Sequence, residues 1–342
     1  MIFIARLAAL AAGVFGAVFT AHADPVADFY AGRTITVVVG SEAGGGYDAM
    51  AHLVARRIGA YIPGHPSLVV QDMPGAASIN AANYLYNTAP RDGSFFGMIQ
   101  RTLLSANLTN QPGARFDVQK FNWVGNLSSE VPLLLSWNTS PIKTVEDLLA
   151  REMTMGGGGP SSDSEVQARL LNAILGTKIK IVSGYPGQSQ IQLAMMRGEV
   201  DGVGGWSLSN LKARNPDWLH DHSVHFLLQG ALRRTGDLPD TPTPFEFAKT
   251  ASDRAVLELF YAQQAIARPF VAPPGFPAAR LEALRAAFDA VVKDKDFLAE
   301  AATARIDIDA SDHQSIEKVV AIIAATPPDI AARFAGVNNA PN

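Results

Sequence analysis

One local order of residues occurs twice in this chain, and it restricts the fold more than any other feature. The first copy reads TITVVVG, SEAGGGY, DAMAHLVARRIGAYI, then SLVVQD and PGAAS; the second reads MTM, GGGGPSSDSE, VQARLLNAILG, then KIKIV and SGYPGQ. Each copy is a short apolar or β-branched run, a glycine-rich loop, a segment with helical spacing, a second apolar run and a Pro-Gly turn. A strand–helix–strand order with short connections produces parallel strands with helices on the sheet faces. Two such units in 342 residues imply two α/β lobes, since a chain this long exceeds one ordinary domain. Two widely spaced copies are not a solenoid repeat.

The remaining pattern fills out these lobes. Met50, Leu53, Val54 and Ile58 share one face of the first helix. INAANYLYNTA reads as a helix ending before Pro90, SFFGMIQ as a third strand, and residues 121–140 as extended segments. Thr144 and Asp147 fit a capping box opening TVEDLLARE. A helix stopped at Gly198 and a strand from Val200 continue the second lobe. Residues 212–250, rich in Pro, Asp and Thr, read as loops with a short helix, and AQQAIARPFVAPPGFP as an extended crossover. PAARLEALRAAFDAVVKDKDFLAEAA reads as one amphipathic helix with Pro277 at its start, and DHQSIEKVVAIIAAT as another stopped by Pro327-Pro328.

The N-terminus reads as an export signal. Arg6 precedes an apolar stretch from Leu7 to Phe19, and Ala21-His22-Ala23 follows as an A-x-A site. The stretch is shorter than the ~20 residues a membrane-spanning helix needs, so cleavage after Ala23 is expected. Cysteine is absent, which excludes disulfides, a thiol nucleophile, cysteine-ligated metals and a lipid-bearing cysteine. The net charge is −4 and no Lys/Arg block occurs, so nucleic acid is not an expected partner.

Both glycine loops follow strands, where open parallel sheets bind ligands. A glycine loop that opens a helix presents free N–H groups and the positive end of the helix dipole, an anion site that needs no Lys or Arg. Ser161, Ser162 and Ser164 would add hydroxyl donors or act only as caps, with Ser162 and Glu165 fitting a capping box. Gly44 to Ala49 satisfies G-x-G-x-x-A, and Asp72 ends the next strand. However, Ser41, Glu42 and Ala43 lengthen the turn beyond what a dinucleotide fold uses. No G-K-[ST] follows the glycines, and GWSLS lacks the second glycine of a nucleophile elbow. His220-x-His222 is the nearest approach to metal-ligand spacing, in a polar loop. Asp237 and Asp240 lie among prolines. No catalytic set, metal site or cofactor motif assembles.

Residues 29–98 (FYAGRTITVVVGSEAGGGYDAM through PRDGSFFGM) closely resemble the opening of the Bug, or TctC-type tripartite tricarboxylate transporter, periplasmic solute-binding proteins. The likeness continues through GGGGPSSDSEVQ, SGYPGQSQIQLAMMRGEVDG and RPFVAPPGFPAARLEALRAAFDAVVKDKDFLAEA. The resemblance implies a two-lobed Venus-flytrap fold, each lobe a mostly parallel sheet flanked by helices. Residues 24–128 plus 268–342 would form lobe 1, and 129–267 lobe 2. It implies no catalysis and no cofactor. A monomeric periplasmic protein would hold a small organic carboxylate between its lobes and deliver it to membrane permease subunits. An exported sensor subunit, or an enzyme on the same fold, is the alternative.

By motif position the first lobe would contribute Ser41, Glu42, Ala43, Gly44, Gly45 and Asp48, the turn Gly75, Ala76, Ala77 and Ser78, and Arg101. The second would contribute Gly157, Ser161, Ser162, Asp163 and Ser164, then Tyr185, Pro186 and Gly187, and Trp206-Ser207. Tyr47, Tyr185 and Trp206 would stack on an aromatic acid or pack in the core. Arg101 would pair with a carboxylate or serve at the surface or between lobes. Two positions depart from the family pattern. Ser41-Glu42 stands where an aromatic or proline is usual, and Glu42 would repel an anion unless it turns away. Ala77-Ser78 replaces Gly-Gly.

Overall fold

The computed structural model describes residues 24–159, 162–185 and 187–338. The expected export segment, Ser161 and Pro186 lie outside the described residues. Eleven strands are present among the described residues: β1 (Thr34–Val39), β2 (Ser67–Asp72), β3 (Phe95–Met98), β4 (Asn122–Asn126), β5 (Pro132–Trp137), β6 (Glu152–Gly156), β7 (Lys178–Val182), β8 (Gly202–Ser207), β9 (Val224–Gln229), β10 (Pro269–Ala272) and β11 (Ser311–Asp312). They form two sheets, ordered β11-β4-β10-β3-β1-β2 and β7-β6-β8-β5-β9.

The repeated sequence order extends to whole sheets. In the first, β2, β1 and β3 are parallel, and β10 runs antiparallel between β3 and β4. In the second, β7, β6 and β8 are parallel, and β5 runs antiparallel between β8 and β9. Both sheets are therefore mixed, each with one inserted strand opposed to both neighbours, and in the first the edge strand β11 is also antiparallel to β4. That inserted strand follows a passage of the chain from the other sheet: β5 after residues 127–131, β10 after residues 263–268. The two passages lie side by side. Glu130 N–H donates to the Gln264 carbonyl at 2.8 Å, Ala267 N–H to Ser128 at 3.0 Å and Leu127 N–H to Arg268 at 3.2 Å.

The predicted helix face is buried. Met50, Leu53, Val54 and Ile58 of helix Gly46–Ile58 pack with Val37, Val39, Phe96, Phe270 and Phe288. The Thr144–Asp147 capping box forms as read. Helix His313–Ala324 packs on β4, whereas helix Pro328–Asn338 crosses to helices Asp163–Leu175 and Ala251–Ala262. The C-terminus thus ties the first sheet's helices to the second's.

Several elements differ from the sequence expectation. The expected single helix from Pro277 is two, Ala278–Val291 and Lys295–Thr303, because Asp294 caps the second by accepting the Phe297 N–H at 2.7 Å. Side-chain competition of this kind ends one helix and starts another. Residues 212–250 contain β9, whose VHFLLQ core is flanked by turn-forming residues that mask it. Residues 251–262 form a helix opened by a Thr250–Asp253 capping box. Pro328, read as a stop, begins the last helix, a position where a missing N–H costs nothing.

Candidate functional site

The loop after β1 is tied down by its own helix. Gly44 has φ +78°, a left-handed conformation that glycine adopts without a Cβ penalty. Its N–H donates to Asp48 Oδ2 at 2.7 Å, and Asp48 Oδ1 lies 3.1 Å from His52 Nε2. Asp48 is buried and committed to this loop. The Glu42 carbonyl accepts the Gly45 N–H at 3.3 Å, while Glu42 is exposed and is not among the residues lining the cleft described below.

The turn after β2 supports the same loop from below. Ser78 is fully buried at φ +75°, and its Oγ accepts the Gln100 N–H at 3.2 Å. The expected ligand hydroxyl is a brace between the ends of β1 and β3. Tyr47 wedges against the second passage. Its hydroxyl donates to the Ala267 carbonyl at 2.9 Å, and the Arg268 guanidinium lies 4.4 Å above its ring. Tyr47 therefore supports a cation.

In the second lobe the capping reading holds in part. Ser162 Oγ accepts the Glu165 N–H at 3.5 Å and donates to the Gly159 carbonyl at 2.7 Å. Glu165 does not complete a capping box. Its buried carboxylate instead accepts the Gly159 N–H at 2.7 Å and the Ser183 hydroxyl at 2.8 Å, pinning the glycine loop. Gly157 packs so closely on Glu165 that a Cβ would come within 2.5 Å of it. Gly205, at φ +66°, lies under the start of helix Asp163–Leu175, with Gln167 Oε1 accepting its N–H at 2.6 Å. Trp206 is 2% exposed and packs on Trp218, with Tyr185 beside this cluster. Trp206 is a core residue, and Tyr185 is half-buried at the edge of its cluster.

Between the sheets lies a cleft of about 650 Å³. Of the predicted residues, Gly44, Gly45, Arg101, Asp163 and Ser207 line it. The turn at 75–78 and the described part of the 157–162 loop do not. Sequence reading missed Glu130 and Arg268, which enter from the two passages, and Gln188, Ser209 and Asn210 from the second lobe. The first pair had a signal: each is a lone charge in an apolar extended segment (SSEVPLLL, AIARPFVA).

The cleft is charged, and two of its arginines meet carboxylates within it. Arg101 forms an ion pair with Asp163 across the lobes. Burial opposes the Arg101 charge, but Asp163, Tyr47 and Glu130 outweigh it and hold its pKa above the usual arginine value. Arg268 lies 3.7 Å from Glu130, whose two oxygens accept from Ser209 Oγ at 2.8 and 3.0 Å. Ser209 shares a 2.8 Å contact with Ser207 Oγ, which caps helix Leu208–Arg214 by accepting the Asn210 N–H. Among the described residues, no group of three or more His, Cys, Asp or Glu side chains is placed to hold a metal ion.

No family model matches the chain. A curated UPF0065 protein of Agrobacterium vitis is 28% identical over 229 residues, 63% of this chain and 62% of that protein, so the match spans less than two thirds of the relative. A UPF0065 protein of Cupriavidus necator is 26% identical over 251 residues, 70% of this chain and 72% of its own. Among solved structures, a TctC solute-binding protein from Polaromonas matches with TM-score 0.66 at 18% identity, covering 90% of this chain and 98% of that one. MatC from Rhodopseudomonas palustris, with bound malate, matches with TM-score 0.61 at 21% identity, covering 90% and 99%. Another R. palustris protein, with adipate, matches with TM-score 0.62 at 21% identity, covering 89% and 97%. Its paired mixed sheets and these structural matches give the chain the two-lobed fold of the TctC-type solute-binding proteins.

Proposed function

We propose that this protein is an exported solute-binding protein that captures a small organic carboxylate in the interlobe cleft and delivers it to a tripartite tricarboxylate-type membrane transporter. One observation carries the reading: two largely buried guanidiniums, Arg101 and Arg268, meet the Gly44–Gly45 loop and Ser207 in a cleft at the carboxyl ends of the parallel strands. Guanidinium forks pair with carboxylates two bonds at a time. The malate and adipate in two structural neighbours support the same ligand class.

In this reading residues 24–128 and 268–342 form one lobe and 129–267 the other. The protein is a periplasmic monomer, and closure bends the passages at 127–131 and 263–268. Thermal-shift and calorimetric titration with aliphatic and aromatic mono-, di- and tricarboxylates, malate and adipate included, tests it. A bound acid at a hundredfold excess over its Kd stabilises the fold by about 2.7 kcal/mol, a readily measured rise in Tm. A flat response across the panel overturns the proposal. N-terminal sequencing of the exported protein checks the expected start at Asp24, and uptake of the identified acid with and without the permease checks the partner.

A further inference from the structure

Arg101 and Asp163 stand on opposite sheets, Arg101 just after β3 and Asp163 at the first residue of helix Asp163–Leu175. Their ion pair spans the cleft both residues line. The Arg101 side chain is 12% exposed, and its buried Nε has no hydrogen-bond partner. A guanidinium offers five donors, so Arg101 is under-used by its present partner. The Asp163 side chain is 32% exposed and has a path to water.

We infer that Asp163 is an internal occupant of the ligand's carboxylate site: it latches the two lobes together through Arg101 until an incoming carboxylate displaces it. This rests on reading the cleft as a carboxylate site. Two consequences follow from charge. A carboxylate ligand binds in exchange for the Asp163 carboxylate, so its apparent affinity is lowered by the population in which the latch is closed. Only an ionised acid makes the exchange, since an amide or ester brings no charge to take over the guanidinium. Asp163 thus acts as a selectivity residue against neutral analogues.

The test compares wild type with Asp163→Asn, Asp163→Ser and Arg101→Gln, using succinate, malate and adipate as probes, each beside its diamide. Asp163→Asn and Asp163→Ser are expected to bind a probe acid on the order of tenfold more tightly than wild type, and Arg101→Gln to lose binding. Without any acid, small-angle X-ray scattering is expected to show a larger radius of gyration for Asp163→Asn than for wild type, and acid is expected to shrink it. If wild type binds an acid and the Asp163 variants bind it no more tightly, with unchanged scattering, the latch is overturned and the carboxylate reading survives. If wild type and the Asp163 variants all ignore every acid, both fall.

Discussion

A Cβ placed on Gly40 would come within 1.5 Å of the Ser78 hydroxyl oxygen and 2.7 Å of its Cβ. The strand end that starts the first glycine loop and the turn that braces it are in direct contact. Gly40→Ala should destabilise the fold by about 2 kcal/mol, as overpacking at a buried contact does, with loss of the Gln100 bond contributing to it. Adding Ser78→Gly should recover most of that loss, since glycine suits the left-handed backbone there. Denaturant unfolding of both variants measures this.

Glu165 is the strap of the second loop. Glu165→Ala removes the acceptor for the Gly159 N–H and Ser183 Oγ and the carboxylate 3.6 Å from the buried Arg169. Hydrogen bonds to a charged group contribute about 1.5–3 kcal/mol each, so a loss near 3 kcal/mol is expected. Hydrogen exchange should report faster opening at Gly159 than at the corresponding loop after β1.

Arg268 and Glu130 meet where the two passages adjoin. Arg268→Ala strands the Glu130 carboxylate, 4% exposed, with Ser209 as its remaining close donor. Breaking a buried pair from one side costs about 3 kcal/mol. The double variant Arg268→Ala, Glu130→Gln should unfold at higher denaturant than Arg268→Ala alone, because the stranded charge is gone.

Acid sensitivity has several contributors at the surface, among them Glu300, Asp294 and Glu246. Glu246 is held down from 4.5 to about 2, first by its side-chain bond to Arg234 and further by the Thr243 N–H. A depressed carboxyl stabilises the fold above its unfolded pKa and loses that contribution as pH falls through the folded value. The advantage of wild type over Arg234→Gln should therefore be constant above about pH 5.5 and shrink between 4.5 and about 2. The pair is more than a third exposed, so screening limits the effect to about 1 kcal/mol. Urea unfolding across this pH range measures it.

The lobes were legible because periodicity and glycine punctuation are local properties. TITVVVG, SLVVQD and DSEVQARLLNAIL give the same elements in sequence and structure, within a residue or two. What failed was decided by single polar side chains or by distant pairing. Asp294 split a long amphipathic pattern because a cap outcompeted continuation. β9 gained its identity from β5, whose Leu134 pairs in register with Leu228. In the cleft, Gly44, Gly45 and Asp163 were readable from loop position. Trp206 and Ser78 were not: burial, which the motif does not encode, took both out of the site. Glu42, the acid beside the expected anion site, is exposed and does not line the cleft.

The inserted strands also set an order of events during synthesis. All five strands of the second sheet lie within one continuous stretch, from Pro132 to Gln229. The first sheet is different, because among the described residues β4 pairs only with β10 and β11, and β3 joins it only through β10. When the ribosome has made the first 130 or so residues, β4 has no neighbour to accept its backbone. The N-terminal half therefore stays incomplete until Pro269–Ala272 emerges.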